Sequence, residues 1–167
     1  MKLETALKKA AGLTMQALCD PKLNSRDAAK LERALSLLVM EEPSAVRSPG
    51  DLYRLFADLA DEEVETFQCI TLNAAHEVIA RHELTRGLVN QSLVHPREAF
   101  RKAILDNAVA IAFAHNHPGG SPTPSAQDIQ ATRRLVEAGE LIGIRVLDHV
   151  VISRNGCQSC RKEASNA

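Results

Sequence analysis

Apolar positions recur three and four apart along the first 40 residues. Leu3, Ala6, Leu7, Ala10, Ala11 and Leu18 form a stripe broken at Gly12, and Leu31, Ala34, Leu35 and Leu38 follow a capping Ser25. This period predicts two helices. Glu41 to Gly50, with Pro43 and Pro49, reads as a linker, so we place a helical extension over 1–42 and the main domain from 46. Ser48-Pro49 is an N-cap and first-turn proline for a helix over 49–60 that carries Leu52, Leu55, Phe56 and Leu59.

The period then shortens to two. Thr66 to Leu72 reads as a strand with Phe67, Cys69 and Thr71 on one face. A turn at Asn73-Ala74-Ala75 leads to a return strand over 76–80, and a further strand covers 84–89. Pro96 starts a helix with Phe100, Ala103 and Ile104, and a buried strand over 108–114 follows. Asp128 to Ala138 forms a helix closed by Gly139, and strands over 144–147 and 149–152 precede an Asn155-Gly156 turn. This succession predicts an α/β fold, a mixed sheet sandwiched by helices, over residues 46–156. Residues 157–167 read as a C-terminal tail.

Composition narrows the function classes. The formal net charge is −1, and the aromatics are one Tyr and four Phe with no Trp. Charge therefore gives no support to a nucleic-acid partner, and there is little material for base stacking. No apolar run reaches the length of a membrane span, and the N-terminus lacks a signal-peptide core. Four cysteines without a secretion signal suit free thiols in the cytoplasm.

The chemistry concentrates at the end of the strand over 108–114, where His115-Asn116-His117-Pro118 begins a Gly/Pro-rich loop that ends at Asp128. Residues two apart on extended backbone share a face, so both imidazoles can aim at one point. Two imidazoles and one carboxylate, with a fourth position open, describe a catalytic zinc site, one Zn2+ per chain. Ser125, three residues before Asp128, can donate to an oxyanion. Ser125-x-x-Asp128 is also a capping box, and a carboxylate engaged by zinc cannot freely cap Ser125.

His-x-His-Pro with Ser125-x-x-Asp128 resembles the JAMM motif of MPN-fold metallopeptidases. His115 to Gly120, Pro122-Thr-Pro-Ser125, Pro96 to Phe100, Ala108 to Ile111 and Gly143 to Val151 resemble the RadC-like bacterial branch, which differs by a serine at the position of Gly120. The resemblance covers about residues 46–156. It implies an MPN/JAMM core with a cytidine-deaminase-like layer order, zinc on His115, His117 and Asp128, and an early-strand glutamate as general base. Glu65, in Glu65-Thr66-Phe67, is the choice for that base, against Glu63, Glu83 and Glu98. Relatives in that fold family cut peptide or isopeptide bonds, so a zinc-dependent hydrolase acting on a peptide or protein substrate is expected. The alternative is a non-catalytic accessory module beside DNA-repair or mobile-element DNA processing.

Other readings of the same residues stay open. The HNH nuclease signature disperses its residues over a ββα hairpin, so the contiguous tripeptide counts against it. Cys157-x-x-Cys160 can act as a redox pair or close a His₂Cys₂ zinc site, while Cys19 and Cys69 suit packing. His149 can orient a zinc ligand or form a buried pair with Asp148. His76, His82 and His95 are expected in solvent. Arg81, Arg86, Arg97, Arg101, Lys102, Arg133 and Arg134 can form a basic face or stand as scattered surface charge.

Overall fold

The chain divides after Glu42 into two units. The computed structural model describes residues 45–87 and 94–165, so the helices expected over 1–42 lie outside the described residues. The element order is α1 (Pro49–Leu55), a 3₁₀ turn (Ala57–Asp61), β1 (Thr66–Leu72), β2 (Val78–Arg86) and α2 (Pro96–Leu105). It continues with β3 (Ala110–Asn116), α3 (Ala126–Ile142), β4 (Arg145–Ser153), β5 (Gly156–Ser159) and α4 (Cys160–Ser165).

The strands form one sheet in the order β2-β1-β3-β4-β5. Only the β3–β4 pair is parallel, joined through α3. The other neighbours are antiparallel. Helices cover both faces, as the sequence pattern predicted. On one face α1 and the 3₁₀ turn pack Leu52, Phe56, Leu59 and Ala60 against Ile70, Leu72, Ala110, Ala112, Ala114, Val150 and Ile152. On the other, α2 and α3 place Ala99, Phe100, Ala103 and Leu135 against Phe67, Cys69, Ile111, Phe113 and Val146. Along β3 the large side chains thus face α2 and α3, and the alanines face the 3₁₀ turn.

Several boundaries differ from the sequence pattern. The helix expected over 49–60 breaks at Phe56 into α1 and the 3₁₀ turn. The two strands expected over 76–80 and 84–89 are one strand, β2. The strand expected to stop at 114 runs on through His115 and Asn116. Helix α3 does not stop at Gly139. That glycine is inside the helix because an added Cβ would sit 2.5 Å from the Ile144 carbonyl oxygen and 3.1 Å from the Phe100 ring. Gly143, with φ 81°, closes the helix instead. Residues 157–165 are not a free tail: β5 pairs with β4, and α4 follows it.

The two late strands are likewise one, and β4 carries a bulge. Ile111 pairs with Val146 but Phe113 pairs with His149, so three residues of β4 span two of β3. The extra residue reverses the alternation, and His149 shares the α2/α3 face with Phe113. Among the described residues no helix is long and apolar enough to cross a membrane.

Candidate metal centre

Strand alternation puts His115 on the same face as Ile111 and Phe113, at the sheet end nearest α3. His117 lies just past β3, its N–H donated to the Ile152 carbonyl oxygen at 2.9 Å. Asp128 is the third residue of α3, which starts behind the N-cap Ser125. The loop between them is held in place. Asn155, in the β4–β5 turn, donates Nδ2–H to the Gly120 carbonyl oxygen at 2.8 Å, and Gly120 N–H reaches the His117 carbonyl oxygen at 3.0 Å. Gly120 has φ 89°, a conformation in which serine would be strained.

These elements bring His115, His117 and Asp128 together, with one ligand atom from each within 4.8 Å of the others. His115 Nε2 and His117 Nε2 are 3.0 Å apart. Asp128 Oδ1 lies 3.3 Å from His115 Nε2, and Oδ2 lies 3.5 Å from His117 Nε2. His117 Nδ1 is 3.0 Å from the Ser121 carbonyl oxygen, which only accepts, so Nδ1 carries the hydrogen of the neutral ring and Nε2 presents a lone pair. A lone pair facing a second ring nitrogen and a carboxylate calls for a cation between them. Two imidazoles and a carboxylate suit zinc, and three protein ligands are one fewer than a closed structural site uses.

The electrostatics agree. Burial pushes the Asp128 carboxyl up, but its contacts with the His115 and His117 rings and the Ser125 hydroxyl outweigh this and hold it far below the usual carboxylate range. The hydrogen bond to Asp128 raises His117 above the ordinary imidazole value, against its partial burial. Burial holds the His149 ring well below it.

Ser125 donates both N–H and Oγ–H to Asp128 Oδ2, each at 2.7 Å, and Asp128 N–H returns to Ser125 Oγ at 3.2 Å. The cap and the ligand geometry therefore coexist, because the carboxylate divides its oxygens and Oδ1 stays turned to His115. Glu65 is exposed, immediately before β1, and close enough for its charge to stabilise protonated His117. Of the competing glutamates, Glu83 on β2 pairs with Arg86 and Glu98 at the start of α2 pairs with Arg97. Glu63 is exposed in the turn before β1.

The cysteines do not close the site. Among the described residues the metal-competent cluster contains no cysteine, and Cys69, Cys157 and Cys160 are free thiols. Cys157 is exposed on β5, whereas Cys160 is buried. His82 is not solvated either: it is half-buried, with Nε2 2.6 Å from Asp106 Oδ2. Arg81, Arg86 and Arg97 each face a carboxylate, respectively Asp58, Glu62 and Glu98.

Three contributors carry no clear sequence signal. Ser121 acts through its carbonyl, and Thr132 lies one turn beyond Asp128, with Oγ1 donating to the Asp128 carbonyl oxygen at 2.6 Å. Asn116 turns away from the ligands and accepts the Thr66 N–H at 2.7 Å. The His-x-His spacing marks Asn116 only as a spacer.

Fold and ligand set together define an α/β domain with a His–His–Asp cluster able to hold a metal ion. A model described as "RadC-like JAB domain" matches residues 46–165, and the chain belongs to that family. It is 45% identical over 129 residues to the UPF0758 protein lwe1562 of Listeria welshimeri, covering 77% of this chain and 58% of that protein. It is 43% identical over 137 residues to a UPF0758 protein of Desulforamulus reducens, covering 81% and 60%. A UPF0758 protein of Methanospirillum hungatei is 50% identical over 104 residues, covering 62% and 46%. The chain thus spans at most about three fifths of the length of these curated relatives.

Proposed function

We propose that this domain is a zinc-dependent hydrolase of peptide or isopeptide bonds, with the metal on His115, His117 and Asp128. The carrying observation is the convergence of those three side chains, with the two Nε2 atoms 3.0 Å apart. When bound, zinc lowers the pKa of a coordinated water towards about 7 and polarises the scissile carbonyl. Glu65 is the general base: it takes a proton from the attacking water and passes it to the leaving nitrogen. Its proximity to His117, and the pairing of Glu83 and Glu98 with arginines, support that choice. Ser125 turns its hydroxyl from Asp128 Oδ2 to the developing oxyanion.

Metal titration of the wild type against the His115→Ala/His117→Ala double variant tests the centre. We expect one zinc per wild-type chain and none at comparable affinity in the variant; equal stoichiometry would overturn the reading. A peptide library then tests the chemistry. Glu65→Gln should keep the metal and lower the rate by roughly 10²- to 10⁴-fold. Unchanged hydrolysis by this variant would remove Glu65 as the base.

A further inference from the structure

A line of hydrogen bonds runs behind His115, away from the cation site. His115 Nδ1 meets His149 Nε2 at 2.8 Å, and His149 Nδ1 meets Thr132 Oγ1 at 2.7 Å. Thr132 Oγ1 ends the line 2.6 Å from the Asp128 carbonyl oxygen. All three side chains are fully buried.

The last acceptor sets the direction of the whole line. A carbonyl oxygen cannot donate, so the Thr132 hydroxyl hydrogen lies on that bond. Thr132 Oγ1 then accepts from His149, which carries its hydrogen on Nδ1. The His149 ring packs against Phe67 and Phe113, surroundings that favour an uncharged imidazole. Its Nε2 is therefore a lone pair, and His115 must donate to it from Nδ1. That leaves the His115 Nε2 lone pair facing Asp128 Oδ1 and His117, the form that can ligate a metal.

We propose that His149 and Thr132 are positioning residues that lock His115 in its ligating tautomer, with the Asp128 carbonyl as the fixed end of the line. The proposal rests on the metal-centre reading above. Asp128 thus serves the site twice, by its carboxylate in front of His115 and by its carbonyl behind. The β4 bulge is what makes this geometry available, because unbroken alternation from Val146 would turn His149 to the opposite face. Asp148 Oδ1 steadies the bulge by accepting the His149 N–H and the Ser159 hydroxyl, each at 2.7 Å.

The test compares wild type, Thr132→Val and Thr132→Ser by two readouts. One is the Co²⁺ dissociation constant, with the visible absorption band of the bound ion. The other is the ¹⁵N spectrum of the imidazoles in metal-free protein, which reports the tautomer directly. We expect His115 to be Nδ1–H in the wild type and in Thr132→Ser, and a mixture of tautomers in Thr132→Val. We expect Co²⁺ affinity to fall about 10- to 100-fold in Thr132→Val and to recover in Thr132→Ser. Wild-type affinity together with an unchanged His115 tautomer in Thr132→Val would overturn the proposal.

Failure of wild-type protein to bind Co²⁺ would instead strike the metal-centre reading, and the metal-free ¹⁵N spectra would still decide the tautomer. Should Thr132→Val not fold, His149→Gln against His149→Leu poses the same question. The glutamine oxygen can accept from His115 Nδ1, so Gln should retain the metal and Leu should lose it. Equal affinities in that pair would also overturn the proposal.

Discussion

Asn116 stands between His115 and His117 in sequence yet turns its side chain to the neighbouring strand β1, accepting the Thr66 N–H at 2.7 Å. Its Nδ2 group donates to the carbonyl oxygens of Val64 at 3.1 Å and Glu62 at 3.3 Å. One buried amide thus ties down the segment that carries Glu65. Asn116→Ala should cost about 1–3 kcal/mol by leaving the buried Thr66 N–H without a partner. His115 and His117 stay in place, so Co²⁺ affinity should change by less than about threefold. Urea denaturation and metal titration of the same preparation check the two halves.

Proton competition at the centre has a definite sign. Asp128 is depressed, so its contribution to metal-free stability is complete above the unfolded value of about 4 and is lost as pH falls below it. His117 is raised, so its contribution is complete below about 6.5 and is lost as pH climbs through the higher folded value. Metal-free protein should therefore lose stability as pH rises above about 6.5. Metal binding needs His117 unprotonated, so affinity should fall by roughly tenfold per pH unit below the folded His117 value. Thermal melts with and without chelator across pH 4–9 test both trends. A metal-free stability flat from pH 6 to 9 would contradict the His117 assignment.

Gly139 and Gly143 are separable by substitution. Alanine at Gly139 drives a Cβ to 2.5 Å from the Ile144 carbonyl oxygen and 3.2 Å from the Val146 side chain, and should destabilise by about 1–3 kcal/mol despite better helix propensity. Alanine at Gly143 meets nothing but must adopt φ 81°, costing about 1–2 kcal/mol. Chemical denaturation reads both. A stabilised Gly139→Ala variant would show that α3 can move off the sheet.

Thiol chemistry distinguishes the cysteines. Cys157 is exposed, while burial pushes the Cys69 and Cys160 thiols up to about 12. In native protein at pH 8 an alkylating reagent should label Cys157 first, and Cys69 and Cys160 only after denaturation, as read by peptide mass mapping. Cys157→Ser should leave zinc stoichiometry unchanged. A drop would reinstate the closed His₂Cys₂ site.

Much of the site was legible along the chain because it obeys local periods. His115 and His117 share a reach through the two-residue repeat of extended backbone, and Ser125 with Asp128 announces a helix start. Strand β1 is bounded as its alternation predicts, Thr66 to Leu72. The rest depends on contacts that no local period encodes. His82 finds Asp106 across 24 residues and Asn116 finds Thr66 across 50. Gly139 reads as a helix stop until Ile144 and Phe100 are seen pressed against it.

The sequence by itself determined the alternation of strands and helices and pointed to His115, His117 and Asp128 as side chains able to converge, since both follow from backbone geometry over a few residues. Tertiary structure decided what stands behind His115. A single extra residue in β4 reverses which face His149 presents, and such a bulge arises from pairing with β3 rather than from any preference of Leu147 or Asp148. Thr132 joins the same line only because α3 packs over that face, where burial obliges each polar group to find a partner.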